Sequence, residues 1–198
     1  MKNMLPLYWI VLVFTILAFS SCKKKESTQY LSIVQKQNTQ LENLKTLSKL
    51  QYAGEGNKVN DIYVYDVQGD SLHFSDLLDD TDKIIFFFSE YSCSSCYLPF
   101  MKKMTAMYEE LKDKVIIIAG FGNKRDFKIY MEDVKIPFST YRTKTNFNIF
   151  PEYNDYSLAF LTNRNMVIDN LMIIDQSNKG YIDDYLMIMN KKTKRYLK

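Results

Sequence analysis

The stretch from Ile84 to Leu111 constrains this chain more than any other. It reads I-I-F-F-F-S-E-Y-S-C-S-S-C-Y-L-P-F-M-K-K-M-T-A-M-Y-E-E-L. The unbroken apolar run Ile84 to Phe88 predicts a strand buried on both faces. A short polar bend follows, then Cys93 and Cys96, separated by Ser94 and Ser95. Beyond them Phe100, Met104, Met107, Tyr108 and Leu111 recur at helical spacing. A strand that delivers two thiols to a helix N-terminus is suited to thiol–disulfide chemistry. Cys93 is the predicted nucleophile, because unpaired backbone N–H groups and the helix dipole favour a thiolate there. Cys96, about one turn further in, is the predicted resolving thiol. Ser94 and Ser95 are small, and either could cap the helix. Glu90 is the nearest acid in sequence. A solvated loop acid is its default reading, and a proton relay for Cys96 is the catalytic candidate. Tyr91 and Tyr156 are candidates for a groove that takes an extended peptide or protein, with ordinary surface packing as the alternative.

Cysteine usage fits that chemistry. The chain has three cysteines, and this is no disulfide scaffold. The third, Cys22, ends a segment with the pattern of a bacterial lipoprotein signal. Lys2 supplies a positive start, Met4 to Phe19 is almost wholly apolar, and Ser20-Ser21 precede the cysteine. Residues 1–21 are therefore expected to be a signal peptide and Cys22 the lipid attachment site. An uncleaved anchor is the alternative, although the apolar run is short for a membrane span. Either way the folded part is expected outside the cytoplasm, in the cell envelope, tethered to a membrane. A formal net charge of +3 is too small to imply a nucleic-acid partner.

Residues 22–30 are polar and are read as a tether. Ile33, Val34, Leu41, Leu44, Leu47 and Leu50 then recur at roughly helical spacing, which predicts an amphipathic helix over 31–53, stopped by Gly54 and Gly56. The main domain is expected over 57–198. Val59 to Phe74 reads as a hairpin turning at Gln68-Gly69-Asp70, and Ser75 to Leu78 as a helical turn. His73, the sole histidine, alternates with Leu72 and Phe74 and is expected to face solvent. Val115 to Ala119 is a second buried strand, and residues 124–133 form a helix carrying Phe127, Tyr130 and Met131. Lys135 to Tyr141 fits a further strand, which Pro137 places at an edge or at a strand start. Asn146 to Asp155 is expected to hold a short helix and a loop. Ser157 to Leu161 and Val167 to Ile174 make an antiparallel pair around Asn163-Arg164-Asn165, and a helix with Tyr181, Ile182, Tyr185, Leu186 and Met189 on one face closes the chain. The predicted class is α/β, a central mixed sheet flanked by helices and preceded by an N-terminal helix.

In this order the segments resemble the thioredoxin superfamily, in particular its membrane-tethered bacterial thiol–disulfide oxidoreductases and redoxin-like lipoproteins. The resemblance covers about residues 59–190. It rests on the strand–turn–Ser75-Asp76-Leu77 opening, the buried strand, the C-x-x-C at a helix start, and Ser157 to Leu161 with its Asn163-Arg164-Asn165 turn. It implies a thioredoxin-like fold and disulfide exchange through Cys93 and Cys96 with no cofactor and no metal. It also implies Ser92 and Ser157, beside Tyr91 and Tyr156, as substrate-binding positions. Several positions depart from the family pattern. Ser92 stands where a tryptophan is customary, and Tyr156 where a cis-proline faces the disulfide. A cis bond before a non-proline residue costs about 2.5–4 kcal/mol, so a trans bond is expected at Tyr156. The acid often buried beneath the second cysteine is missing from Ile84-Ile85-Phe86, and Pro99 follows Cys96 unusually closely. Glu90 replaces the threonine of peroxidase members, which argues against peroxidase activity.

Three functions follow. The first is a membrane-tethered thiol–disulfide oxidoreductase acting on protein thiols or disulfides of the envelope. The second is a non-catalytic thioredoxin-like binding or assembly lipoprotein with a structural cysteine pair. The third, holding Cu(I) between the two thiols, lacks a suitably placed histidine. Substrate, direction of electron flow and reduction potential have no signature in the sequence.

Overall fold

The computed structural model describes residues 5–150 and 155–194, with side chains from residue 30 onward. The signal-peptide and lipid-site expectations for residues 1–21 and Cys22 fall outside the described side chains. Among the described residues no helix is long and apolar enough to cross a membrane. The chain divides into two units, Met1–Lys45 and Thr46–Lys198.

The first unit is helical. Helix α1 runs Leu5–Gly54, so residues 22–30, expected as an irregular tether, continue the helix. No proline interrupts this stretch, and long polar side chains cost a helix little. Leu31, Ile33 and Leu41 are exposed, which narrows the amphipathic expectation for 31–53. The packed positions of that helix, Leu47 and Leu50, lie in its last turns and belong to the second unit. Those turns are also tied by polar contacts. Glu55 accepts hydrogen bonds from Asn170 N–H (2.6 Å) and Leu171 N–H (2.9 Å), and Gln51 accepts one from Ile173 N–H at 3.4 Å.

The second unit is built on a seven-stranded mixed sheet. Its strands are β1 (Tyr63–Tyr65), β2 (Ser71–His73), β3 (Lys83–Ser89), β4 (Val115–Gly120), β5 (Ser139–Thr143), β6 (Ser157–Thr162) and β7 (Asp169–Ile174). They lie in the order β2-β1-β5-β4-β3-β6-β7. β3, β4 and β5 are parallel, and the other pairings are antiparallel. The remaining helices are α2 (Ser94–Ala106), α3 (Tyr108–Leu111), α4 (Lys124–Val134) and α5 (Ile182–Thr193). The opening hairpin is shorter than its apolar pattern, because Val59 and Ile62 pack as irregular chain. It turns at Gly69, whose φ of +101° suits glycine. Asp66 Oδ1 closes the turn by accepting from Gly69 N–H and Asp70 N–H. His73 is half-exposed, with its ring 4.3 Å from that of Tyr63 and its Nδ1 3.4 Å from Asp61.

β3 explains its own sequence. Ile84, Phe86 and Phe88 enter one layer, with Phe100, Met104, Phe127, Leu186 and Met189 of the helices. Ile85 and Phe87 enter the opposite layer, with Leu47, Val64, Phe74, Phe147 and Phe160. A strand buried on both faces has no solvent side, so its apolar residues run without alternation. β5 begins at Ser139, two residues beyond Pro137, and sits between β1 and β4. Pro137 thus marks a strand approach, and the strand itself is interior. No helix forms in the described part of 144–150. Phe147 of that segment instead plugs the second layer against Phe74, Phe87 and Phe160.

A charged turn leads into β3. Asp79 Oδ1 accepts from the Thr81 hydroxyl (2.5 Å) and N–H (2.8 Å), and Lys83 Nζ lies 3.1 Å from Asp79 Oδ2. The Thr81 hydroxyl contributes most to holding this carboxyl down at about 2 from the ordinary 3.8. A depressed folded pKa adds stability at pH values above the unfolded pKa, and that stability is lost as pH falls toward 2. Asp79 is half-exposed, so solvent screening keeps its contribution below about 1 kcal/mol. Asp79→Asn is expected to lower urea stability by that amount at pH 6, with the difference from the native protein closing near pH 2. An equal difference at both pH values would contradict this account.

Candidate redox site at the start of helix α2

The site is assembled where β3 ends. Ser92 Oγ accepts the Ser89 N–H at 3.0 Å, and Ser92 N–H returns to Ser89 C=O at 3.0 Å. This pair folds the chain back through Glu90 and Tyr91 and aims the next residue at the helix. Ser92 is itself buried. Its side chain, a substrate-binding candidate in the sequence, faces inward and braces the turn. Cys93 occupies the N-cap of α2, and its C=O accepts from Cys96 N–H (2.9 Å) and Tyr97 N–H (3.3 Å). No side chain caps the helix, so the expected capping by Ser94 or Ser95 is absent. Cys93 thus holds the N-cap position, where the unpaired first N–H groups of a helix favour negative charge.

Cys93 and Cys96 are joined as a disulfide with their Cα atoms 5.3 Å apart. Cys93 is exposed, and Cys96 is 5% exposed. Exposure selects Cys93 as the sulfur that a partner can reach. Burial leaves Cys96 able to attack only what is already attached next to it. Ser95 Oγ lies 3.2 Å from Cys93 Sγ, and Gln176 Nε2 donates to the same Ser95 oxygen at 2.8 Å. Behind Cys96, Tyr97 stacks on Phe88 with ring centroids 4.8 Å apart and accepts a hydrogen bond from Tyr130 Oη at 3.2 Å. Burial holds the Tyr130 hydroxyl far above the usual phenol range, so it stays protonated as that donor. Pro99 lies inside α2 and supplies no N–H to the Ser95 carbonyl four residues earlier.

The other expected residues divide. Glu90 is exposed, and its Oε1 accepts the Gly122 N–H at 3.0 Å. The carboxylate is therefore aimed at the loop after β4. No direct hydrogen bond joins it to either cysteine among the described residues. Tyr91 is 76% exposed and, with Glu90, Phe121, Thr143, Lys144 and Asn146, lines an open cleft of about 300 Å³. Tyr156 is half-buried. It packs with Phe87, Phe147 and Leu158 in the layer opposite that of Tyr97. Ser157 is buried at the start of β6. No cis peptide bond occurs among the described residues.

Three side chains escaped the sequence reading. Gln176 stands 81 positions from its partner Ser95, and nothing local marks it. Tyr130 carried only the signal of a helix face. Arg142 is buried within β5, donates to Phe121 C=O at 3.1 Å and places its guanidinium 4.7 Å from the Tyr65 ring centre. An arginine in a short strand offers no local clue that it will be buried.

The strand order, the parallel crossover β3–α2–β4 and the disulfide at the head of α2 define a thioredoxin-like fold. Solved structures agree. A protein of Chlorobium tepidum, provisionally assigned as the thiol:disulfide interchange protein DsbE, is similar with a TM-score of 0.51. It shares 18% identity over 69% of this chain and 97% of its own. A provisionally assigned electron transfer protein of Aquifex aeolicus has a TM-score of 0.51 and 15% identity, over 71% of this chain and 94% of its own. Peroxidoxin BcpB of Mycobacterium tuberculosis also has a TM-score of 0.51, with 12% identity over 73% of this chain and 98% of its own. No family model and no curated protein matches the chain.

Proposed function

We infer that the protein is a thiol–disulfide oxidoreductase that exchanges the Cys93–Cys96 disulfide with protein thiols or disulfides. The observation that carries this reading is the asymmetry of the pair, with exposed Cys93 at a helix N-terminus and buried Cys96 bonded to it. In the reducing direction the Cys93 thiolate attacks a partner disulfide. One partner sulfur leaves as a thiolate and takes a proton. Cys96 then loses its proton and attacks Cys93 Sγ, which breaks the mixed disulfide and releases the second partner thiol. Two electrons pass to the partner, and a donor dithiol must restore the reduced pair.

The lipoprotein-like segment ending at Cys22 supports an extracytoplasmic place for this chemistry, lipid-anchored to a bacterial membrane. A Cys22→Ser chain that still labels with a radiolabelled fatty acid and still partitions into detergent would remove the anchor. The activity is tested with Cys96→Ser, which keeps the attacking thiol and lacks the resolving one. Mixed disulfides with envelope proteins should accumulate on non-reducing gels. Their absence, together with failure of the reduced native protein to reduce insulin, would sink the reading. Buried Ser92 and the packed Tyr156 favour a second reading, a non-catalytic binding or assembly lipoprotein. In that case partner capture survives Cys93→Ser.

A further inference from the structure

We propose that Gln176 is a positioning residue for the reactive cysteine: its amide turns the Ser95 hydroxyl onto Cys93 Sγ, where that hydroxyl stabilises the thiolate. The inference rests on the reading of Cys93 as the attacking thiol. The direction of each hydrogen bond follows from its chemistry. The Gln176 –NH₂ group only donates, so at 2.8 Å the Ser95 oxygen is the acceptor. The Cys93 sulfur carries no hydrogen in the disulfide, so across 3.2 Å the Ser95 O–H is the donor. With its oxygen engaged by Gln176, the hydroxyl has one proton to give, and it points at sulfur. When the pair is reduced and Cys93 ionises, the same contact becomes a charge-assisted hydrogen bond, which is stronger than a neutral one. It therefore favours the thiolate over the thiol.

The rest of the molecule holds Gln176 ready for this task. Gln176 opens a 3₁₀ turn, Gln176–Tyr181, that follows β7. Asp175 Oδ1 accepts the Ser177 N–H at 2.8 Å, and Asn178 Oδ1 accepts the Asp175 N–H at 3.0 Å. Asn178 is buried, and its amide also donates to Ile173 C=O. The turn is thus anchored in the core while Gln176 projects outward. Charged groups on the packed elements are largely engaged elsewhere. Glu90 is held by Gly122 N–H, Asp175 by Ser177 N–H, and Lys103 of α2 pairs with Asp183 of α5 at 2.9 Å. Lys102 of α2 and Lys179 of the turn are exposed to solvent.

The test is the Cys93 pKa in the reduced full chain, from the pH dependence of its alkylation by iodoacetamide. Ser95→Ala is expected to raise it by about one unit, the low end of the range for one hydrogen bond to a charged group. Gln176→Leu should raise it by a part of that amount, and should add nothing in the Ser95→Ala background. Gln176→Glu keeps the shape but can only accept. It should draw the Ser95 proton away and raise the pKa further than Gln176→Leu, with a smaller effect once Ser95 is alanine. A Gln176→Leu pKa equal to the native value, or an effect undiminished by Ser95→Ala, would overturn the proposal. If native Cys93 itself titrates like an ordinary cysteine near about 8.5, the activated-thiol reading fails instead.

Discussion

Cys93→Ala is expected to bring disulfide reduction by the protein down to the level of the buffer, a fall of ~10³ or more in turnover. Exchange proceeds only through attack by a thiolate on sulfur, and the buried Cys96 offers no substitute. The insulin turbidity assay with a dithiol donor reads this directly. Cys96→Ser should differ in kind. Its first attack survives and its turnover stops, so one equivalent of partner is captured and held. The thermal midpoints of the reduced variants should stay near that of the reduced native protein. Residual turnover in Cys93→Ala above a few per cent would mean that Cys96 can be reached, which its burial opposes.

The second large effect lies in the layer beneath the site. Phe88 is fully buried and touches Tyr97, Phe121 and Tyr130, with the Tyr97 ring stacked at 4.8 Å. Truncating such a ring removes its transfer free energy and leaves a cavity that rigid neighbours fill poorly. Phe88→Ala is expected to cost about 3–5 kcal/mol in urea unfolding, a large fraction of a typical domain's stability. Phe88 also seats Tyr97, the residue after Cys96. The variant should therefore expose Cys96 to alkylation faster than global unfolding alone would. A loss below about 1.5 kcal/mol would show that α2 and α4 close over the gap.

Two substitutions at family positions have a shared structural logic. Ser92, in the place of a customary tryptophan, closes the bend through Ser89 and turns inward. Tyr156, in the place of a customary cis-proline, packs into the layer with Phe87 and Phe147. Tyr91, by contrast, is exposed and lines an open cleft with Glu90 and Lys144.

What the sequence determined by itself was whatever depends on neighbours along the chain. The run Ile84 to Phe88 could only be a doubly buried strand, since no alternation offers a solvent face. Gly69 marked its turn, and the C-x-x-C spacing placed both sulfurs at the start of one helix. Tertiary structure decided what depends on residues far apart. Ser95 reads as a generic helix cap until Gln176 arrives from beyond β7 and leaves its proton for sulfur. Glu90 reads by default as a loop acid, and the fold gives its carboxylate the Gly122 amide as partner. Pro137 left β5 either at an edge or at a strand start until the short β1–β2 hairpin settled that the strand is interior. The difference is physical. Burial pattern and backbone preference are short-range properties written into consecutive residues, whereas the direction of a hydroxyl or a carboxylate is set by whichever donor the folded chain brings within 3 Å.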